Sequence, residues 1–218
     1  LRDGNARWAS DRPEHPSASV SRREILARDG QKPFASLLTC ADSRLPVERL
    51  FDRGVGDLFV VRVAGNIAGT SETGTLEYGV EHLHIPLLVV MGHSKCGAVG
   101  AAVSHAKPEG ALGELVQRIA PAVERAEGQL DGASPDVVVA AAIRENVWQT
   151  IFDLLRHSPE IRGAISEGKL KVVGAVCDVG TGKVEFMGEH PWQAELVAAF
   201  NARHPAEPTS AQAAEGHE

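Results

Sequence analysis

The amino-acid sequence predicts an α/β fold: a mostly parallel central sheet of about four strands plus an edge strand, flanked by helices and preceded by an N-terminal helical arm. Three observations carry this expectation. The apolar runs Phe34 to Thr39, Leu58 to Val63, Leu87 to Met91 and Leu170 to Val176 are continuous rather than alternating, as in strands covered on both faces. Each run leads through a polar or glycine-bearing turn into an amphipathic segment long enough to cross back over a sheet. No segment recurs with a solenoid period, so the runs belong to one domain rather than to stacked repeats.

The elements follow in order. Residues 1–33 are polar with helical patches; Ser21, with Glu24 at the third helical position, predicts a capped helix over Ser21 to Arg28. This stretch is an arm ahead of an α/β domain expected to span 34–204. Helices are expected near Pro46 to Asp52, Glu72 to His84, Gly97 to His105 and Pro135 to Arg156. Val184 to Met187 supplies the edge strand, after the turn Gly180-Thr181-Gly182, whose glycines accept positive backbone angles. Gln193 to Ala202 is a last helix. The tail 205–218, rich in Ala, Glu and Pro without an apolar stripe, is expected to be disordered.

Composition narrows the function. The 218 residues are 43% hydrophobic and 23% charged with a formal net charge of -7, which suits a soluble globular chain with a small substrate and gives no electrostatic basis for binding nucleic acid. No apolar run reaches the roughly 18 residues of a membrane span. The chain starts at Leu1 rather than Met; the expected compartment is cytoplasmic, or periplasmic had a leader been removed. Three cysteines make no disulfide framework. Cys177, inside the apolar run Val172 to Val179, is expected to be a buried, inert thiol.

The chemistry lies in two polar clusters at strand ends. Thr39-Cys40-Ala41-Asp42-Ser43-Arg44 follows the first run, and Gly92-His93-Ser94-Lys95-Cys96-Gly97 follows the third. In an open parallel sheet, ligands collect at the carboxyl ends of the strands, where neighbouring loops diverge. Zinc takes thiolate and imidazole ligands, and three protein ligands leave a fourth position for water. Cys40, His93 and Cys96 supply that number, His93 and Cys96 from one strand-to-helix turn and Cys40 from a neighbouring strand. A lone His-x-x-Cys is a weak signal. It gains force from Asp42 and Arg44, which a plain structural core would not place at a strand terminus, since neither is buried without a partner.

Taken together these motifs resemble the β-carbonic anhydrase family. Cys-Ala-Asp-Ser-Arg at 40–44 is similar to its Cys-x-Asp-x-Arg signature, and residues 92–97 to its Gly-His-x-x-Cys-Gly signature. Arg62-Val63-Ala64-Gly65-Asn66 and Glu77-Tyr78 also resemble family features, and the likeness runs from about Gln31 to Val179. It implies a Zn2+ ion on Cys40, His93 and Cys96 with hydroxide as the nucleophile, hydrating carbon dioxide reversibly to bicarbonate and a proton. Asp42, paired with Arg44, would accept a hydrogen bond from the nucleophile and so orient it; in the family's closed form the same carboxylate moves onto zinc. Two thiolates should weaken the ion's Lewis acidity, so activity is expected to rise at alkaline pH.

The resemblance further implies that Gln31, Phe59 and Tyr78 line a substrate pocket built between two subunits, hence a homodimer or a dimer of dimers. One departure bears on regulation. Family members with a second anion site line it with Trp, Arg and Tyr, where this chain has Leu37, Arg62 and Cys177. The site is therefore expected to be absent and the open form favoured, with Arg62 making a structural ion pair. His82, His84, His105 and His157 are expected to be surface or packing residues. Two rival readings use the same residues: hydrolysis of carbon disulfide or carbonyl sulfide, and a noncatalytic zinc scaffold, which would not require Asp42 with Arg44. A dinucleotide-binding domain fails because Gly65 to Gly74 lacks the G-x-G-x-x-G fingerprint.

Overall fold

All five expected strands form one sheet in the computed structural model, which describes residues 1–16 and 19–203. They are β1 (Ala35–Thr39), β2 (Leu58–Arg62), β3 (Leu87–His93), β4 (Lys171–Cys177) and β5 (Val184–Gly188), in the order β2-β1-β3-β4-β5. β1 to β4 are parallel and β5 is antiparallel to β4. Successive residues of each buried strand serve opposite faces, which is why the runs are continuous in sequence. Leu37, Val89 and Ala175 pack into one core with Val99, Ile119 and Val123. Leu38, Leu88 and Val172 pack into the other with Leu76, Ile151 and Leu154.

Around the sheet lie α1 (Arg2–Ala9), α2 (Val20–Asp29), α3 (Val47–Leu50), α4 (Thr70–Glu81), α5 (Gly97–Val103), α6 (Gly110–Gln129), α7 (Pro135–His157), α8 (Pro159–Ser166) and α9 (Gln193–Arg203). Two of these, α6 and α8, were not expected; α1 falls within the stretch expected to be a helical arm. In α6 the glycines and Pro121 look like breakers, yet Val116, Ile119, Val123 and Ala126 recur at helical spacing and are buried. Pro121 is exposed, so the carbonyl it leaves unpaired meets water. The α2 cap also differs: Ser19, not Ser21, accepts from the Arg22 N–H at 3.2 Å. Of the glycines in the β4–β5 turn only Gly182 has a positive φ, 71°. The tail 205–218 lies outside the described residues. Among those described, no helix is long and apolar enough to cross a membrane.

The N-terminal segment docks through buried polar anchors. Asn5 donates to the carbonyls of Leu50 and Gly182 at 3.1 and 2.8 Å. The buried Asp52 carboxylate accepts from Arg7 Nε at 2.6 Å and from the backbone N–H of Glu14 and His15 at 3.0 and 2.9 Å. Sheet and helices meet most tightly at Gly174 of β4, where a Cβ would sit 2.8 Å from Trp148 and 2.9 Å from Val147 of α7. Gly174→Ala is therefore expected to cost about 1–3 kcal/mol by overpacking. The check is the thermal unfolding midpoint; an unchanged value would contradict this packing.

The strand order positions the site. From β1 the chain moves to β2 on one side, then to β3 on the other. The loops leaving β1 and β3 consequently diverge, opening a crevice at the carboxyl edge of the sheet.

Candidate metal centre

Cys40 leaves the end of β1, His93 ends β3, and Cys96 caps the amino end of α5. Between the last two, Lys95 takes a left-handed φ of 57°, turning the chain so that both side chains face the crevice. The donor atoms of Cys40, His93 and Cys96 all lie within 4.8 Å of one another, the one such three-residue cluster found among the described residues. All three residues are buried, at 5%, 0% and 3% exposure. A shared ion about 2.3 Å from sulfur and 2.0–2.1 Å from nitrogen calls for that spacing after a small closing movement.

Three details fit a metal. His93 Nδ1 lies 3.0 Å from the Ser94 carbonyl, which sets the ring's orientation. Its Nε2 is buried with no hydrogen-bond partner among the described residues, and with Nδ1 donating to the carbonyl the Nε2 lone pair is free for a cation. The two thiols interact: a hydrogen bond from Cys96 pulls the Cys40 thiol well down, helped by His93 and the Gly65 N–H, while Cys96 is pushed up by the same bond and by burial. A cation held by both sulfurs would displace the protons that the two thiols carry. Soft sulfur with imidazole suits zinc and excludes magnesium and calcium, which prefer oxygen.

Asp42 and Arg44 border this cluster. Arg44 Nε donates to Asp42 Oδ1 at 2.9 Å and Arg44 Nη2 to Oδ2 at 2.7 Å, a two-pronged pairing. The Arg44 backbone N–H adds a third bond to Oδ1 at 2.9 Å. These donors, the Arg44 fork foremost, hold the Asp42 carboxyl well below the usual carboxylate range. Asp42 Oδ2 lies 3.9 Å from His93 Nε2, so an ionised acceptor faces the edge of the centre.

The supporting residues were only partly visible in the sequence. The Gly65 N–H donates to Cys40 Sγ at 3.3 Å from a 3₁₀ turn at Ala64–Asn66, with Gly65 at φ 71°. Asn146 of α7 holds that turn by donating to the Gly65 carbonyl at 2.7 Å. Nothing in the sequence pairs Asn146 with Gly65, because the contact spans 81 residues. Arg62 does not behave as expected: among the described residues it forms no ion pair, and its Nε instead donates to the Cys40 carbonyl at 3.1 Å. Cys177 is buried as expected, its thiol pushed up to about 11 by that burial.

The pocket residues divide. Phe59 of β2 and Tyr78 of α4 stand together, ring centroids 6.3 Å apart, with Tyr78 half exposed. Gln31 is exposed on the loop entering β1. Gln31 precedes the amino end of β1 and Cys40 follows its carboxyl end, so the five strand residues lie between them, a span of roughly 16 Å at 3.3 Å per residue. One chain therefore does not bring Gln31 to the metal cluster.

Residues 35–184 match the family model described as carbonic anhydrase. Carbonic anhydrase 2 of Mycobacterium tuberculosis is 41% identical over 187 residues, covering 84% of this chain and 87% of its own. Among solved structures, the Coccomyxa β-carbonic anhydrase in complex with acetazolamide superposes with a TM-score of 0.75 at 28% identity, covering 94% of this chain and 96% of its own. A tetrameric β-carbonic anhydrase of Sordaria macrospora gives 0.69 at 29% identity, covering 85% and 94%. On its sheet order, its cysteine–histidine–cysteine centre and these likenesses, the chain belongs to the β-carbonic anhydrase family.

Proposed function

We propose that this chain binds one zinc ion through Cys40, His93 and Cys96 and catalyses the reversible hydration of carbon dioxide to bicarbonate and a proton. The observation that carries the reading is the buried three-donor cluster with the Asp42–Arg44 pair at its edge. Zinc, when bound, acts as a Lewis acid that makes hydroxide available near neutral pH, and carbon dioxide is too weak an electrophile to react at useful rates without it.

The chain's own groups do the rest. Arg44 engages both Asp42 oxygens and keeps them ionised, so Asp42 is an acceptor only. An acceptor at that place fixes the direction of an O–H, and with it the lone pair that attacks carbon. A structural zinc staple would fill four positions permanently. Here three donors converge among the described residues.

The second copy of the chain completes the reading. Gln31, Phe59 and Tyr78 would line the pocket of a partner subunit, Gln31 offering an amide N–H to bicarbonate and the two rings an apolar wall. β2 supports this, because it is the outer strand of the sheet with an unpaired edge, and exposed Phe34, Val55 and Tyr78 lie around it. The Sordaria protein is tetrameric, in keeping with a dimer of dimers here.

Stopped-flow carbon dioxide hydration with a pH indicator, alongside metal analysis of the same preparation, tests the proposal. Zinc near one per chain and a rate far above buffer are expected, with the rate lost on chelation and restored by added zinc. Zinc present with no rate above buffer, while carbon disulfide is consumed, would transfer the site to the rival hydrolysis.

A further inference from the structure

We propose that Arg62 is a positioning residue of the metal centre, holding the loop that carries Cys40 and Asp42 by its backbone; this rests on the roles given above to those two residues. Arg62 is the last residue of β2, in register with Thr39, the last residue of β1. From there its side chain reaches across to the loop leaving β1. Nε donates to the Cys40 carbonyl at 3.1 Å and Nη2 donates to the Asp42 carbonyl. The two carbonyls flank Ala41, so one guanidinium spans the connection between the first metal ligand and the orienting carboxylate.

The loop needs such a splint. After Thr39 it forms neither strand nor helix until Val47. Its other ties to the surrounding chain are the Ala41 N–H to the Val63 carbonyl at 3.3 Å, the Gly65 N–H to Cys40 Sγ at 3.3 Å and Arg44 Nη2 to the Lys95 carbonyl at 3.1 Å, and of these only the first holds the loop by its own backbone. Asp42 is therefore held at both ends, its carboxylate by Arg44 and its carbonyl by Arg62. A guanidinium presents its donors in one rigid plane, which fixes the spacing of two acceptors; a lysine ammonium on a flexible stem does not. No carboxylate pairs with Arg62 among the described residues, which leaves these two carbonyls as the partners of its side chain there.

The test uses zinc-loaded full-length Arg62→Ala and Arg62→Lys with two readouts, kcat and KM for carbon dioxide hydration, and the half-life of bound zinc against a chromophoric chelator. Loss of an outer partner of a metal site costs about 10–100-fold. That loss is expected in kcat for Arg62→Ala, with a shortened zinc half-life, KM little changed, and Arg62→Lys in between. Millimolar guanidinium should restore part of the Arg62→Ala turnover, which a purely structural lesion would not allow. In an Asp42→Asn background Arg62→Ala should cost far less than in the wild type, because both changes act on the same carboxylate. Wild-type kcat and zinc half-life in folded Arg62→Ala overturn the proposal, and so does a loss that guanidinium never relieves and that adds in full to Asp42→Asn. Should Arg62→Ala fail to fold, wild-type values in Arg62→Lys overturn it equally. Full turnover in Asp42→Asn alone would sink the role of Asp42, and the splint would then be judged on zinc half-life.

Discussion

Cys96→Ser is expected to lose zinc and carbon dioxide hydration together while keeping its fold. A serine hydroxyl stays protonated near neutral pH and offers a neutral, hard oxygen where a borderline-soft ion prefers thiolate. Two donors then remain, Cys40 and His93, too few to hold the ion against a chelator. Losing a direct ligand should exceed the roughly 10–100-fold cost of losing an outer partner. The substitution is also a clean one. Cys96 is the N-cap of α5, and serine is among the residues best suited to that position. Its far-UV spectrum should match the wild type, so unfolding would not account for the loss. The measurements are zinc per chain after dialysis against chelator and the hydration rate on the same sample. Retention of either zinc or activity in Cys96→Ser would contradict the assigned ligand set.

The three-donor cluster was legible in the sequence because Cys40, His93 and Cys96 sit in short motifs at strand ends, and continuous apolar runs mark strands that are covered on both faces. Cys40, His93 and Cys96 needed only the strand order to bring them together, and parallel connections at a switch point supply it. What surrounds them was less visible. Asn146 supports the turn beneath Cys40 from the middle of α7, and an asparagine at that place looks like any other polar residue of a helix. Arg62 was expected to make a structural ion pair because Leu37 and Cys177 leave it without the other residues of a second anion site. It remains exposed instead and spends its donors on carbonyls, a choice set by backbone geometry that no spacing encodes. Among the helices, α6 was hidden for a related reason. Tertiary packing of Val116, Ile119 and Val123 outweighs the unfavourable propensities of its glycines and proline.

Asp42→Asn should keep its zinc and lose roughly 10²–10³-fold in kcat, the usual cost of removing a preorganised electrostatic partner of a reacting group. The replacement has the same shape, but one acceptor oxygen becomes an NH₂ donor. One prong of the Arg44 fork now meets an NH₂ it cannot bond, so the side chain loses its charge and half of that pairing, and the group at the edge of the centre is no longer an acceptor only. Stability should change by no more than about 1 kcal/mol, because Arg44 is half exposed and its pairing is screened by solvent. The pH dependence separates this role from that of a titrating base. In the folded chain the Asp42 carboxyl is held below its ordinary value, first by Arg44. The pair's contribution to stability is therefore present above the unfolded carboxylate pKa of about 3.9 and is lost only as pH falls further, toward the folded value. Across neutral and alkaline pH, Asp42 is ionised throughout and does not supply the rise of activity with pH. Asp42→Asn should consequently lower the whole pH–rate profile and leave its midpoint in place, measured as kcat/KM by stopped flow on zinc-loaded protein. A profile whose midpoint moved by a unit or more while its plateau stayed at the wild-type level would instead mark Asp42 as the titrating group and remove it from the orienting role.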